Sequence, residues 1–218
     1  MKQLAIIGAG ELGQQIRHIA ESVADIEFIG FFDDTRPVQN DIPWCYPLAE
    51  IEKKYNEGLF DGLVVGIGYN HSEFRKSIFE QYCDKIPFLN VVSPSAIIES
   101  TAILNRGIVI YPGVIIDKEV VIGDNVLLNL GCCIAHNCKI GHSSYISPRV
   151  AFSGFVTVGE KCFVGTNSTF VDGVTVTDNV FLGAASLVLK DIVEPGKYVG
   201  NKLRKIDNMM SKLVNGGG

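Results

Sequence analysis

The second half of the chain is written in sixes. Stepping from Val92 gives Ile98, Leu104, Ile110, Ile116, Ile122, Leu128, Ile134, Ile140, Ile146, Phe152, Val158, Val164, Phe170, Val176, Leu182 and Val188, each aliphatic or Phe. Four residues after each stands a small or β-branched side chain, from Ala96 through Cys132, Cys138, Ser144 and Cys162 to Ile192. Glycine recurs just after the first position, at Gly123, Gly141, Gly159, Gly165 and Gly183. Chance would break such a period within a few hexads. This is the hexapeptide repeat of a parallel β-helix. Three hexads make one triangular coil, so residues 18 apart stack at about 4.8 Å, the strand spacing. The large aliphatic points inward, and the small residue packs beside it under the turn.

Before the repeat the grammar is βαβ. "KQLAIIGAG" reads as an apolar strand ending in glycines. "ELGQQIRHIAESV" has helical spacing in Leu12, Ile16 and Ile19, and "IEFIGFFDD" is a second strand. "FDGLVVGIGYN" repeats the strand-then-glycine pattern, and "HSEFRKSIFEQYC" is another helix. Strands alternating with helices imply a parallel sheet. Gly8, Gly10 and Gly13 form a G-x-G-x-x-G turn, which lets backbone N–H groups at a helix N-terminus approach a phosphate. Asp33 ends the second strand, where dinucleotide folds place a ribose-binding acid. Taken alone, these features point to NAD. A full dinucleotide fold needs a second βαβ half, however, and this chain changes character near residue 90.

Charge and cysteine content narrow the class. At 218 residues and net charge −5, the chain is a poor nucleic-acid surface. No apolar run reaches the roughly 18 residues of a membrane span. The N-terminal apolar run flows directly into the glycine motif, unlike a signal peptide. The reading is a cytoplasmic protein with its cysteines reduced. Cys45, Cys83, Cys132, Cys133, Cys138 and Cys162 form no C-x-x-C pair, which gives structural zinc little support. Cys132, Cys138 and Cys162 fall on the small inward position, so the repeat accounts for them.

The repeat does not account for two histidines. His136 and His142 occupy the third place of a hexad, at a corner. Stacking by 18 sets His136 between Lys118 and Gly154, and His142 between Asp124 and Glu160. Flanking carboxylates would hold His142 protonated, as one rung of a surface charge ladder. Beside His136 a cation favours the neutral ring, and a glycine leaves room for a ligand. That suits a general base. A carbonic-anhydrase-type zinc site needs three histidines, and the repeat contains two.

These features together resemble the PglD/NeuD-type bacterial sugar O-/N-acyltransferases of the left-handed β-helix superfamily. The likeness rests on the glycine turn, "FFDD", "GIGYN…RK", the hexads, "LNLGCCIAHNCKIG" and the "YVGN" exit. It implies a half-Rossmann-like domain over 1–90 holding a nucleotide sugar, a left-handed β-helix over 91–192, and an exit with a short helix over 193–218. By resemblance Gly8, Gly10 and Gly13 approach the sugar or phosphate. Asp33, Asp34 and Arg36 match the stretch that reads the base, and Gly68 and Asn70 the second glycine turn. His136 matches the catalytic base and Asn129 an asparagine seven residues earlier. Gly154, Thr166 and Ala184 match positions lining the acetyl-CoA groove between subunits of a trimer. The chain departs from the pattern at Leu12 and Tyr145, where histidines occur, and in "GNKLRK" at the exit. It departs also at Asn137, where an acidic residue often follows the base, so the ring would lack an orienting carboxylate.

The sequence thus predicts an acetyl-CoA-dependent N-acetyltransferase acting on a UDP- or dTDP-linked 4-amino-dideoxy sugar, for bacterial surface glycans such as lipopolysaccharide O-antigen. It would be a cytoplasmic homotrimer using no metal and engaging neither nucleic acid nor membrane. Tyr111, Leu130 and Phe155 are the apolar residues expected at subunit contacts. The alternatives are sialic-acid O-acetylation by the same base, and a non-catalytic β-helix scaffold.

Overall fold

The computed structural model describes residues 1–35 and 44–200. Arg36 and the helix expected near the C-terminus lie outside these residues. The chain opens with β1 (Lys2–Ile7), α1 (Glu11–Ala20) and β2 (Ile26–Phe32). It continues through β3 (Cys45–Tyr46), α2 (Ile51–Asn56), β4 (Gly62–Val65) and α3 (Ser72–Tyr82). The four strands form one parallel sheet in the order β3-β2-β1-β4. Side chains alternate across β1, as strand geometry requires. Leu4 and Ile6 pack with Ile16 and Ile19 of α1, while Ala5 and Ile7 pack with Ile51, Ile78 and Phe79 of α2 and α3. Burial on both faces is why these strands are short continuous apolar runs.

From β5 (Val91–Val92) to β21 (Leu187–Val188) the chain winds into a parallel β-helix, closed by β22 (Gly196–Tyr198). Three sheets of five, seven and six strands form its faces. Registers such as Val91↔Val109, Cys133↔Ala151 and Thr157↔Thr175 show the 18-residue step. The aliphatic series from Ile110 to Val188 is buried and lines the interior, with Val92, Ile98 and Leu104 half-buried at the first coils.

The small inward position does more than save space. Cys132, Cys138 and Cys162 donate their thiols to the carbonyls of Ser147, Ser153 and Thr177, each 15 residues on. Ser144 and Ser168 donate likewise to Gly159 and Gly183. Small donors there satisfy carbonyls that an aliphatic would leave unpaired. Burial raises all three thiols to about 11, so they are unreactive at neutral pH.

A second periodicity runs along the corners. From Gly107 to Ala185, every sixth residue has positive φ, including Asn125, Asn137 and Asn167 but also Glu119, Phe155 and Lys161. Glycine and asparagine reach this region at least cost. The remaining residues are held there by the ladders on both sides.

The two halves share a core. Leu4, Ile6 and Ile16 pack against Val91, Val109, Tyr111 and Leu127 on the outer face of one β-helix sheet. Tyr111 is 4% exposed and donates to Gln15 Oε1 at 3.0 Å. It is therefore an internal contact within the chain and not an exposed corner residue. Arg75 of α3 is 1% exposed, donates to the Ser143 carbonyl at 3.1 Å, and accepts the Asn125 amide through its own carbonyl.

Candidate active site

Two glycine turns meet over the C-terminal ends of β1 and β4. Gly8 has φ of +102°, and a Cβ there would lie 3.0 Å from the Gly66 carbonyl oxygen. A Cβ on Gly13 would lie 1.9 Å from the Gly8 carbonyl oxygen, so only glycine lets α1 start against the turn. Gly10 caps α1 without a side-chain bond to the helix. The first N–H groups of α1 lack intrahelical partners and supply positive potential here. The resulting cavity measures about 570 Å³. Gly8, Gly10, Asp33, Asp34 and Gly68 line it, joined by Leu12, Thr35, His71 and Phe74. Gly13 is buried beneath it, and Asn70 is exposed without lining it.

The acids in this cavity also brace its walls. Asp33 Oδ2 accepts the Ala9 N–H at 2.8 Å, and Oδ1 accepts the backbone N–H and hydroxyl of Thr35. Asp34 Oδ1 accepts the Leu48 N–H at 2.9 Å. His71, which the sequence marks only as the start of a helix and not as a site residue, follows "GIGYN" directly, and that adjacency was its only signal.

The His136 corner has its own geometry. A Cβ on Gly154 would lie 2.7 Å from His136 Cε1 and 2.9 Å from Nε2, which verifies the predicted stack. The ring packs into the space a side chain at 154 would fill, and among the described residues Nε2 has no hydrogen-bond partner at the corner. Asp172, one coil further, brings a carboxylate oxygen 3.3 Å from the same Cβ position. Phe155 meets the imidazole edge-on, with centroids 5.1 Å apart. His136 Nδ1 lies 3.0 Å from Asn137 Oδ1, and Asn137 Nδ2 donates to Glu119 Oε2. A carboxylate does stand behind this ring, one coil away and through an amide.

His142 behaves differently from the expected charged rung. Its Nδ1 accepts the Asp124 backbone N–H at 2.9 Å, a bond that uses the ring's lone pair. Asp124 Oδ1 accepts the Arg106 N–H, and Asp178 Oδ1 accepts the Glu160 N–H, in the same column. His142 is thus one member of a ladder in which a corner side chain caps the backbone of the coil below. Burial alone would raise the Asp124 carboxyl, but the Arg106 guanidinium at 3.0 Å and the Arg106 N–H hold it below its usual value.

Asn129 is buried. Its Oδ1 accepts the Leu130 N–H at 2.8 Å, and its Nδ2 reaches Tyr145 Oη at 3.4 Å. It belongs to the turn before Cys133, one corner away from His136, so a single chain does not bring the two together. Gly154 shares the His136 corner. Thr166 and Ala184 sit on the neighbouring one, joined by the Ala185 N–H to the Thr166 carbonyl. Between these corners lies the outward face of one sheet, with Ile115, Cys133 and Leu187 exposed. Leu130 and Phe155 flank it, 48% and 59% exposed. Among the described residues no three His, Cys, Asp or Glu side chains lie close enough to hold a metal ion, and no helix is long and apolar enough to cross a membrane. A second cavity, about 310 Å³ between α3 and the β-helix, contains none of the predicted site residues. There burial lowers the Arg75 guanidinium to about 10, still charged at neutral pH.

Comparison with known proteins agrees with both halves. Residues 3–82 match the family model of the PglD N-terminal domain. Perosamine N-acetyltransferase (PerB) from Caulobacter crescentus, in complex with CoA and GDP-perosamine, superposes with a TM-score of 0.85 at 24% identity, covering 92% of this chain and 95% of that one. The acetyltransferase domain of PglB from Neisseria gonorrhoeae, in complex with acetyl coenzyme A, gives 0.82 at 24% identity, covering 94% and 99%. WeeI from Acinetobacter baumannii gives 0.72 at 19% identity, covering 94% and 99%. The first part of this chain therefore matches the PglD N-terminal domain, and the chain as a whole has the half-Rossmann and left-handed β-helix fold of these proteins.

Proposed function

We propose that the chain is an acetyl-CoA-dependent N-acetyltransferase whose acceptor is a nucleotide-linked amino sugar. The observation that carries this reading is His136, half-buried at its corner, held at Nδ1 by Asn137 and with its Nε2 edge packed over Gly154 where no side chain intervenes. The cavity over the two glycine turns would take the nucleotide sugar, with the α1 N-terminus toward its phosphates. The outward face between the Gly154 and Thr166–Ala184 corners would take acetyl-CoA. The sugar amine attacks the thioester carbonyl, and Nε2 of His136 accepts the proton the amine sheds. A backbone amide at Gly154 would stabilise the oxyanion. The tetrahedral intermediate then collapses, and the imidazolium returns its proton to the departing CoA thiolate.

The sugar cavity and the His136 corner share no lining residue within one chain. This supports a C3 homotrimer in which a second copy closes each site. Exposed Leu130, Phe155, Ile115 and Leu187 supply apolar surface for it. The work would proceed in the cytoplasm, where acetyl-CoA is available, on precursors of surface glycans. Thiol release from acetyl-CoA should appear with one member of a panel of UDP-, dTDP- and GDP-linked amino sugars. Release with free sialic acid alone would replace the reading by O-acetylation. No release with any acceptor would leave the scaffold.

A further inference from the structure

His136 needs one particular tautomer to act as a base at Nε2, and nothing in the imidazole itself selects it. The choice is made two groups away. The Glu119 carboxylate can only accept hydrogen bonds. The Asn137 group facing it must therefore be the NH2, which donates to Glu119 Oε2. That turns Asn137 Oδ1, also acceptor-only, toward His136 Nδ1 at 3.0 Å. The proton must then reside on Nδ1, which leaves the lone pair on Nε2, the nitrogen that packs over Gly154.

The backbone fixes the relay in place. Asn137 and Glu119 stand 18 residues apart at the same left-handed corner, with φ of 61° and 58°. The Asn137 N–H donates to the Lys118 carbonyl, and the Glu119 N–H to Thr101 Oγ1. We propose that Glu119, acting through the Asn137 amide, is a positioning residue that sets the tautomer of His136 and stabilises its imidazolium. This rests on His136 being the base of the proposed reaction. No proton passes through the amide. When Nε2 gains a proton, the Nδ1–H···Oδ1 bond strengthens, because the carboxylate polarises the amide toward the ring. Of the other charged groups, the 18-residue step sets Lys118 in the coil below the ring, and Asp172 lies across Gly154.

Two readouts test this. The first needs no substrate: imidazole 15N shifts of His136, assigned by their loss in His136→Gln. The native protein should hold the proton on Nδ1, and Glu119→Ala or Asn137→Ala should redistribute it toward Nε2. The second is the pH–rate profile. Glu119→Ala should lower kcat by roughly 10-fold, less than the loss when a directly bonded, buried orienting acid is removed. KM should stay within about two-fold, and the acidic limb should move to lower pH. Asn137→Asp should move that limb to higher pH, because its carboxylate bonds Nδ1 directly. Asp172→Asn should leave the tautomer unchanged. In an Asn137→Ala background, Glu119→Ala should cost nothing further.

An unchanged tautomer in Glu119→Ala overturns the proposal, and so does an undiminished cost in the double variant. Absence of acetyl transfer by the native protein would remove the acyltransferase reading instead, and the 15N measurement would still decide the relay.

Discussion

Gly154→Ala places a methyl group against the ring on which the proposed chemistry depends. The new Cβ would stand 2.7 Å from His136 Cε1 and 2.9 Å from Nε2, against 3.4 Å for ordinary contact. The ring must therefore retreat by about 0.7 Å. Both close atoms belong to a side-chain ring and not to backbone, so the fold can absorb the shift. Gly154 has no left-handed φ to protect, and alanine at such a site reduces unfolded-state entropy by about 0.4–1 kcal/mol. Stability should hold or rise slightly. The base, however, is displaced from its place. A 1 Å misplacement costs roughly 10²-fold, so kcat should fall about 10- to 100-fold. Thermal unfolding and acetyl-CoA thiol release, measured together, separate the two effects. Gly131→Ala is the control. Its φ is +64° and its nearest neighbour is Arg149 at 3.7 Å, so it should lose about 1–2 kcal/mol of stability and keep its rate. If Gly154→Ala retains kcat within two-fold, Nε2 of His136 is not the proton acceptor.

His136→Ala should lower kcat by about 10²- to 10⁴-fold, the usual worth of a positioned base, with unchanged melting. His142→Ala should cost a little stability by freeing the Asp124 N–H and leave kcat within a few-fold; the reverse pattern would mean the base is misassigned. Calorimetry should show a nucleotide sugar binding and NAD(H) not; tight NAD(H) binding with no response to any nucleotide sugar would return the glycine turn to a dinucleotide. Asp124 has a folded-state pKa below its ordinary 3.8, so its stabilising contribution is full above that value and fades as pH falls through the lower folded value. Acid unfolding of Asp124→Asn should therefore be less steep below pH 4 than that of the native chain, and identical slopes would contradict the Arg106 pairing.

The hexad series was legible because each coil repeats one packing constraint, and seventeen repetitions leave no competing register. The left-handed corners were harder to see, since Glu119, Phe155 and Lys161 occupy positions that glycine and asparagine mark elsewhere. The misplacement of Tyr111 has a readable cause. Val91, Val109, Leu127, Tyr145, Phe163 and Phe181, each just before an inward aliphatic, are the outward residues of one sheet, and all are apolar or aromatic. Such a column requires a cover, and the N-terminal half supplies it over the first three while Tyr111 is carried beneath. His142 was misread because flanking residues were treated as charges when its bond is to a backbone N–H. The proposed relay follows the same rule that singled out His136. The step of 18 that sets Lys118 beneath His136 also sets Glu119 beneath Asn137. Asn137 looked like a missing carboxylate only while the neighbour in sequence was considered. In a coil, the neighbour in space is 18 residues away, so an acid proposed to serve His136 can be supplied by either.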